Sequence, residues 1–149
     1  MPKKIKSDGS VKALYGVSTE TKIKRPLIGN KFPAGFPSPA ADYLEGLLDL
    51  NEYLIKNKAA TFFARVEGDS MIGCGIFPGD IVIVDRSLEA GNSSVVLARY
   101  DGEFTIKKLR IEKGELFLVS ENESYPPIKI NEELEFVIWG VVTTVIHKV

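Results

Sequence analysis

From Thr61 to the carboxyl end, apolar residues come in short runs that stop at turn formers: TFFARVEG, DIVIVD, SSVVLARY, EFTIKKLRI, ELFLVS and EFVIWGVVTTVI. Such runs, with alternation inside several of them, mark strands, and breaks such as Asp101-Gly102 and Lys113-Gly114 are short enough for hairpins. The pattern predicts a mainly β fold, an antiparallel sheet that is strongly curved or barrel-like. Upstream the pattern changes. Met1 to about Asn30 mixes Lys, Ser, Thr and Gly with scattered apolar residues and holds no period, which predicts an extended or flexible arm. KFPAGFPSPAADY follows, where Pro33, Pro37 and Pro39 enforce extended backbone around Ala34-Gly35. In DLNEYLIKN, Asp49 stands at a helix N-cap position with Glu52 three residues on, so one short helix is expected there. No internal repeat or low-complexity tract interrupts this order.

Composition narrows the class. The 149 residues suit one domain, and 44% hydrophobic with 26% charged residues is ordinary for a soluble globular chain. No apolar run approaches the ~20 residues that span a bilayer, and the lysine-containing amino terminus lacks the apolar core of a signal peptide. A cytoplasmic protein is expected. Cys74 is the only cysteine, so no disulfide can form within the chain, and no cluster has metal-ligand spacing. No metal or other cofactor is expected.

The net charge of −1 conceals a division. Residues 1–34 carry eight Lys/Arg against two acids, and residues 35–149 carry eleven against eighteen, so a +6 arm is joined to a −7 body. Such an arm can be a solvated tail, or it can lie on its own body or on a polyanion.

Candidate chemistry centres on VEGDSMIGCGIFPGDIVIVDRS, residues 66–87, where Ser70 stands just before a buried run. A serine among glycines can shape a turn, or it can be a nucleophile at the lip of a sheet. A nucleophile needs a base. The only histidine, His147, lies three residues from the carboxyl end, where a solvated side chain is the expectation, and Cys74 reads as a small apolar residue in a turn. A lysine can serve if desolvation lowers its pKa from ~10.4 toward ~7–8, at about 1.4 kcal/mol per unit. EFTIKKLRI offers two: alternation sets Phe104, Ile106 and Lys108 on one face and Thr105, Lys107, Leu109 and Ile111 on the other. Both faces carry apolar neighbours, so periodicity leaves the choice between Lys107 and Lys108 open.

The succession AGFPSPAADYLE, EGDSMIGCGIFPGDIVIVD, DGEFTIKKL and WGVV resembles the LexA/UmuD family of self-processing serine peptidases, most nearly its UmuD-like members. The likeness runs from about Phe32 to Val145 and is absent over the arm. It implies the curved antiparallel fold of the family's peptidase domain and a dimeric habit. It also implies that Ser70 is the nucleophile, that Lys107 is the base, and that the chain cuts itself between Ala34 and Gly35. UmuD-like chains have Cys-Gly at that bond and LexA-like chains Ala-Gly, so this sequence sides there with the wider family. Backbone N–H groups of Ser70 and Asp69 are the candidates for holding the oxyanion. Asp69 itself, like Asp80 and Asp85, reads as a structural residue flanking a turn or strand.

On this resemblance residues 1–34 form an arm removed by cleavage and residues 35–149 a β-rich peptidase-like domain. The implied partners are a second copy of the chain, a RecA filament on single-stranded DNA that favours the cut, and a UmuC-like Y-family DNA polymerase subunit joined by the processed form. The implied role is SOS mutagenesis. A LexA-like transcriptional regulator is the alternative, but the 34 residues before the cut are too few for a three-helix DNA-binding module, so no sequence-specific DNA binding is expected. A noncatalytic interaction module, with the serine and lysine vestigial, is a further alternative.

Overall fold

The computed structural model describes residues 7–28, 44–131 and 133–149. The chain packs as two units, one taking in Met1–Val17 with Ala59–Val149 and the other Ser18–Lys58.

The larger unit is one antiparallel sheet of eight strands. In chain order these are β1 (Val11–Gly16), β4 (Thr61–Val66), β5 (Ile81–Asp85), β6 (Val95–Tyr100), β7 (Glu103–Glu112), β8 (Glu115–Val119), β9 (Ile128–Ile130) and β10 (Phe136–Ile146). The smaller unit holds β2 (Lys24–Ile28) paired antiparallel with β3 (Leu44–Asp49), followed by the helix α1 (Leu50–Leu54). Asp49 caps that helix as its position in the sequence suggests, its Oδ1 accepting from the Asn51 N–H at 2.9 Å.

Strand order across the large sheet is β1-β4-β5-β10-β6-β7-β8-β9. The sheet curls. Ser7, just before one edge strand, forms a parallel bridge with Phe104 of β7, which lies five places across the sheet, and the Asp8 N–H donates to the Phe104 carbonyl at 3.1 Å. Curvature gives the sheet a covered concave face, filled by Val11, Ala64, Met71, Val82, Leu97 and Ile106 among others. A second cluster, Val96, Ala98, Leu109 and Leu118, covers the opposite side of β6 to β8. IVIVD shows no alternation because in β5 every residue after Ile81 is buried.

Two register shifts bend β10, at Ile138/Gly140 and at Val142/Thr144. Gly140 is required at the first, because a Cβ there would lie 2.5 Å from Val84 Cγ1.

Residues 11–16 are extended, as an arm without period should be, but they are docked. β1 pairs with β4 and buries Val11 and Ala13 at the sheet edge. The segment KFPAGFPSPAADY, with Ala34 and Gly35, lies outside the described residues. The two packing units divide near residues 17 and 58, not at the division expected between residues 34 and 35.

Candidate active site

The turn that follows β4 explains the Ser-Met pair. Gly68, with φ of 77°, reverses the chain where a side chain would be strained. Three residues later Met71 drops into the core at 2% exposure, fixing Ser70 beside it. Ile72–Cys74 then make one 3₁₀ turn closed by Gly75 at φ 83°, whose N–H donates to the Ile72 carbonyl, and Ile76 re-enters the core. Both flanks of Ser70 are therefore held.

From the other side β7 brings Lys107. Its ammonium lies 3.3 Å from Ser70 Oγ, 3.4 Å from Asp8 Oδ2 and 3.1 Å from the Ile106 carbonyl. An ammonium has three protons, and these are three acceptors. Lys107 is 4% exposed and Ser70 7%, so the pair is largely removed from water. Burial is the main influence on Lys107 and lowers its pKa; the charge and hydrogen bond of Asp8 oppose it, and the net result stays below lysine's ordinary value. The adjacent Lys108 leaves the strand on the other face, is about one-third exposed, and pairs with Glu121 at 3.3 Å. The structure thus sets Lys107, and not Lys108, beside Ser70.

The two side chains open into a cavity of about 360 Å³, bordered also by Asp8, Asp69, Ser120 and Tyr125. Asp8 was not visible as a site residue in the sequence. It arrives with the segment ahead of β1 and is gripped by Ser10 Oγ at 2.6 Å, the Ser10 N–H at 3.0 Å and Thr105 Oγ1 at 2.7 Å. Burial pushes its carboxyl up, but these hydrogen bonds and the Lys107 charge together outweigh that and hold it below the ordinary carboxylate value. The loop between β8 and β9 is likewise new: Asn122 Nδ2 donates to the Asp69 carbonyl at 2.9 Å, and the Gly73 N–H donates to the Glu121 carbonyl at 2.7 Å.

Other candidates lie elsewhere. His147 is not free in solvent: its Nδ1 is 2.6 Å from Oδ1 of the buried Asp80, whose other oxygen accepts from the Phe77 N–H at 2.9 Å. Cys74 is exposed in the 3₁₀ turn. Among the described residues no three His, Cys, Asp or Glu side chains are grouped to hold a metal ion, and no helix is long and apolar enough to cross a membrane.

A hydroxyl at hydrogen-bonding distance from a buried lysine, at the mouth of a cavity, is an arrangement suited to acyl transfer once the lysine loses its proton. Comparison with known proteins agrees with that chemistry: the profile of the Peptidase S24-like family matches residues 26–143. The chain is 49% identical to Protein SamA of Salmonella typhimurium (strain LT2) over 123 residues, 83% of this chain and 85% of that protein. It is 44% identical to Protein ImpA of Salmonella typhimurium over 132 residues, 88% and 89% of the two chains. Against the LexA repressor of Alcanivorax borkumensis the identity is 36% over 116 residues, 78% of this chain and 55% of the repressor. The chain belongs to the Peptidase S24-like family, as a UmuD-like member of the LexA/UmuD group.

Proposed function

We propose that the protein is a self-cleaving serine peptidase of SOS mutagenesis that cuts its own chain between Ala34 and Gly35. The observation that carries this reading is the 3.3 Å approach of Lys107 Nζ to Ser70 Oγ within a cavity, in a chain of a peptidase family. The neutral Lys107 amine takes the Ser70 hydroxyl proton as Oγ attacks the Ala34 carbonyl carbon. Backbone N–H groups of Ser70 and Asp69 face the oxyanion. The tetrahedral species collapses, the Ala34–Gly35 C–N bond breaks, and the proton on Lys107 passes to the departing Gly35 amine. Water then hydrolyses the Ser70 ester and leaves Ala34 with a free carboxylate. No metal takes part.

Enzyme and substrate are one chain, so the effective concentration of the scissile bond is high whenever the linker occupies the cavity, and occupancy is the switch. A RecA filament on single-stranded DNA acts on that occupancy. The cut separates the +6 segment from the −7 body, and the processed body, as a dimer, joins a Y-family polymerase subunit of the UmuC type for translesion synthesis. The likeness to a LexA repressor supports a second reading, a transcriptional regulator. Tight binding of the intact protein to one duplex sequence would favour it.

The test is a time course of the intact chain at several pH values, with mass spectrometry of the fragments. Cleavage is expected at Ala34–Gly35, abolished in Ser70→Ala and Lys107→Ala and retained in Lys108→Ala. Cleavage that persists in Ser70→Ala overturns the nucleophile, and a cut elsewhere overturns the bond.

A further inference from the structure

The carboxylate nearest the candidate base comes from the arm. Asp8 lies within the segment 1–34, yet its Oδ2 is 3.4 Å from Lys107 Nζ. Its position is built. Ser10 and Thr105 hold both carboxylate oxygens, Ser10 Oγ also accepts the Ile106 N–H at 2.9 Å, and the Asp8 N–H is bound to the Phe104 carbonyl. The segment before β1 is stitched to the strand that carries Lys107, with the Asp8 carboxylate at the mouth of the cavity.

The charge of that group matters more than its place. A base must have a lone pair for the Ser70 proton. With Asp8 in position, Lys107 meets three acceptors and a full negative charge, and both favour the ammonium. The other ionisable groups that border the cavity are Glu67 and Asp69 in the turn after β4 and Tyr125 in the loop before β9. Tyr125 donates to Asp69, and among the described residues Asp8 is the one acid within 4 Å of Lys107 Nζ.

We propose that Asp8 is a latch. From within the arm it holds Lys107 in the proton-bearing state, and withdrawal of its carboxylate frees the amine to act as base. Asp8 is thus a positioning residue for the reaction proposed above, on which this inference rests. It works against the reaction rather than for it. The latch sits on the same segment that the reaction severs, so the unprocessed chain carries its own restraint and the processed body is free of it once that segment departs.

Asp8→Asn is the informative change, because the charge is lost at nearly constant shape while the amide keeps one acceptor oxygen, for Ser10 on one side or for Thr105 and Lys107 on the other. The pH profile of self-cleavage should move to lower pH, and on its rising limb each unit of movement is about a tenfold faster reaction. Asp8→Glu should return the profile toward that of the parent. A second measurement does not depend on cleavage: the titration of the Lys107 side chain by NMR in a Ser70→Ala background, its signal identified by loss in Lys107→Met. The midpoint should fall when Asp8→Asn is added. A lower midpoint without any cleavage in the Ser70 parent keeps the latch and removes the peptidase reading. An unmoved or raised midpoint, or a cleavage profile displaced to higher pH, overturns the latch whether or not the chain cuts itself.

Discussion

The phenol of Tyr125 donates a 2.8 Å hydrogen bond to the carboxylate of Asp69, 56 residues earlier in the chain. Together with Asn122 on the Asp69 carbonyl and Glu121 on the Gly73 N–H, it fastens the β8–β9 loop to both sides of the turn that presents Ser70.

That bond has a pH range. The hydrogen bond to Asp69, then the Asp69 charge, pushes the Tyr125 phenol above its ordinary value. A raised folded value means that the contribution is complete below the ordinary phenol pKa of ~10 and is lost as pH climbs through the folded value. Self-cleavage should rise with pH as Lys107 loses its proton and then fall when the phenolate repels Asp69. Tyr125→Phe should cut several-fold more slowly near neutrality and lack the alkaline fall. An identical fall in Tyr125→Phe, with the fold intact by circular dichroism, would refute this role.

Gly73 is a test of the same clamp by shape. A Cβ there would lie 2.5 Å from the Glu121 carbonyl oxygen, a backbone atom that cannot swing aside. Gly73→Ala should cost about 1–3 kcal/mol in urea unfolding and slow self-cleavage, since the turn must move. Gly91→Ala, which meets nothing within 4 Å and needs no positive φ, should be neutral.

Lys107 should make the fold less stable than an apolar residue would. Burial lowers its pKa, so the unfolded chain binds the extra proton over the range between the folded value and the ordinary one. Stability of the parent therefore increases with pH across that range. Lys107→Met should be more stable at neutral pH, and its advantage should shrink as pH rises toward lysine's ordinary value. Denaturant midpoints measured from about pH 7 upward, where a desolvated lysine begins to lose its proton, decide this; an advantage that is constant or grows contradicts it.

His147 and Asp80 separate structure from chemistry. Asp80→Ala takes the buried acceptor from the part-buried Phe77 N–H and should destabilise by about 1–3 kcal/mol. His147→Ala should have a smaller effect and leave self-cleavage unchanged. Loss of cleavage in a folded His147→Ala protein would call for a histidine base instead.

What the sequence made legible depended on the range of the interaction. Alternation and turn residues placed every strand of the sheet from Thr61 onward except the three-residue β9, and Asp49 marked its helix, because these are local properties. Lys107 and Lys108 could not be told apart by period, since Ile106 serves one core cluster and Leu109 the other, and a sheet covered on both faces erases the contrast. The family resemblance, not the period, singled out Lys107. Asp8 was beyond either: its contacts to Thr105 and Lys107 close 97 and 99 residues of chain, and only the curl of the sheet brings them together. β1 escaped notice because VKALYG is short and its outer edge needs no apolar signature. The grip of Asn122 and Tyr125 on Asp69 is equally long-range.

The docking of β1 against β4 means that breaking a peptide bond and losing the arm are separate events. After a cut at Ala34–Gly35, Val11 and Ala13 would still be packed in the core and the β1–β4 ladder still paired, so the severed piece stays until the strand peels away. On the proposed reaction the chemistry would be irreversible and the departure an equilibrium, with the interval between them set by six residues of sheet. When it runs out, the backbone of β4 is left as a bare edge, able to accept a strand from elsewhere. If the proposed cut writes the message, the peeling of β1 decides when it is read.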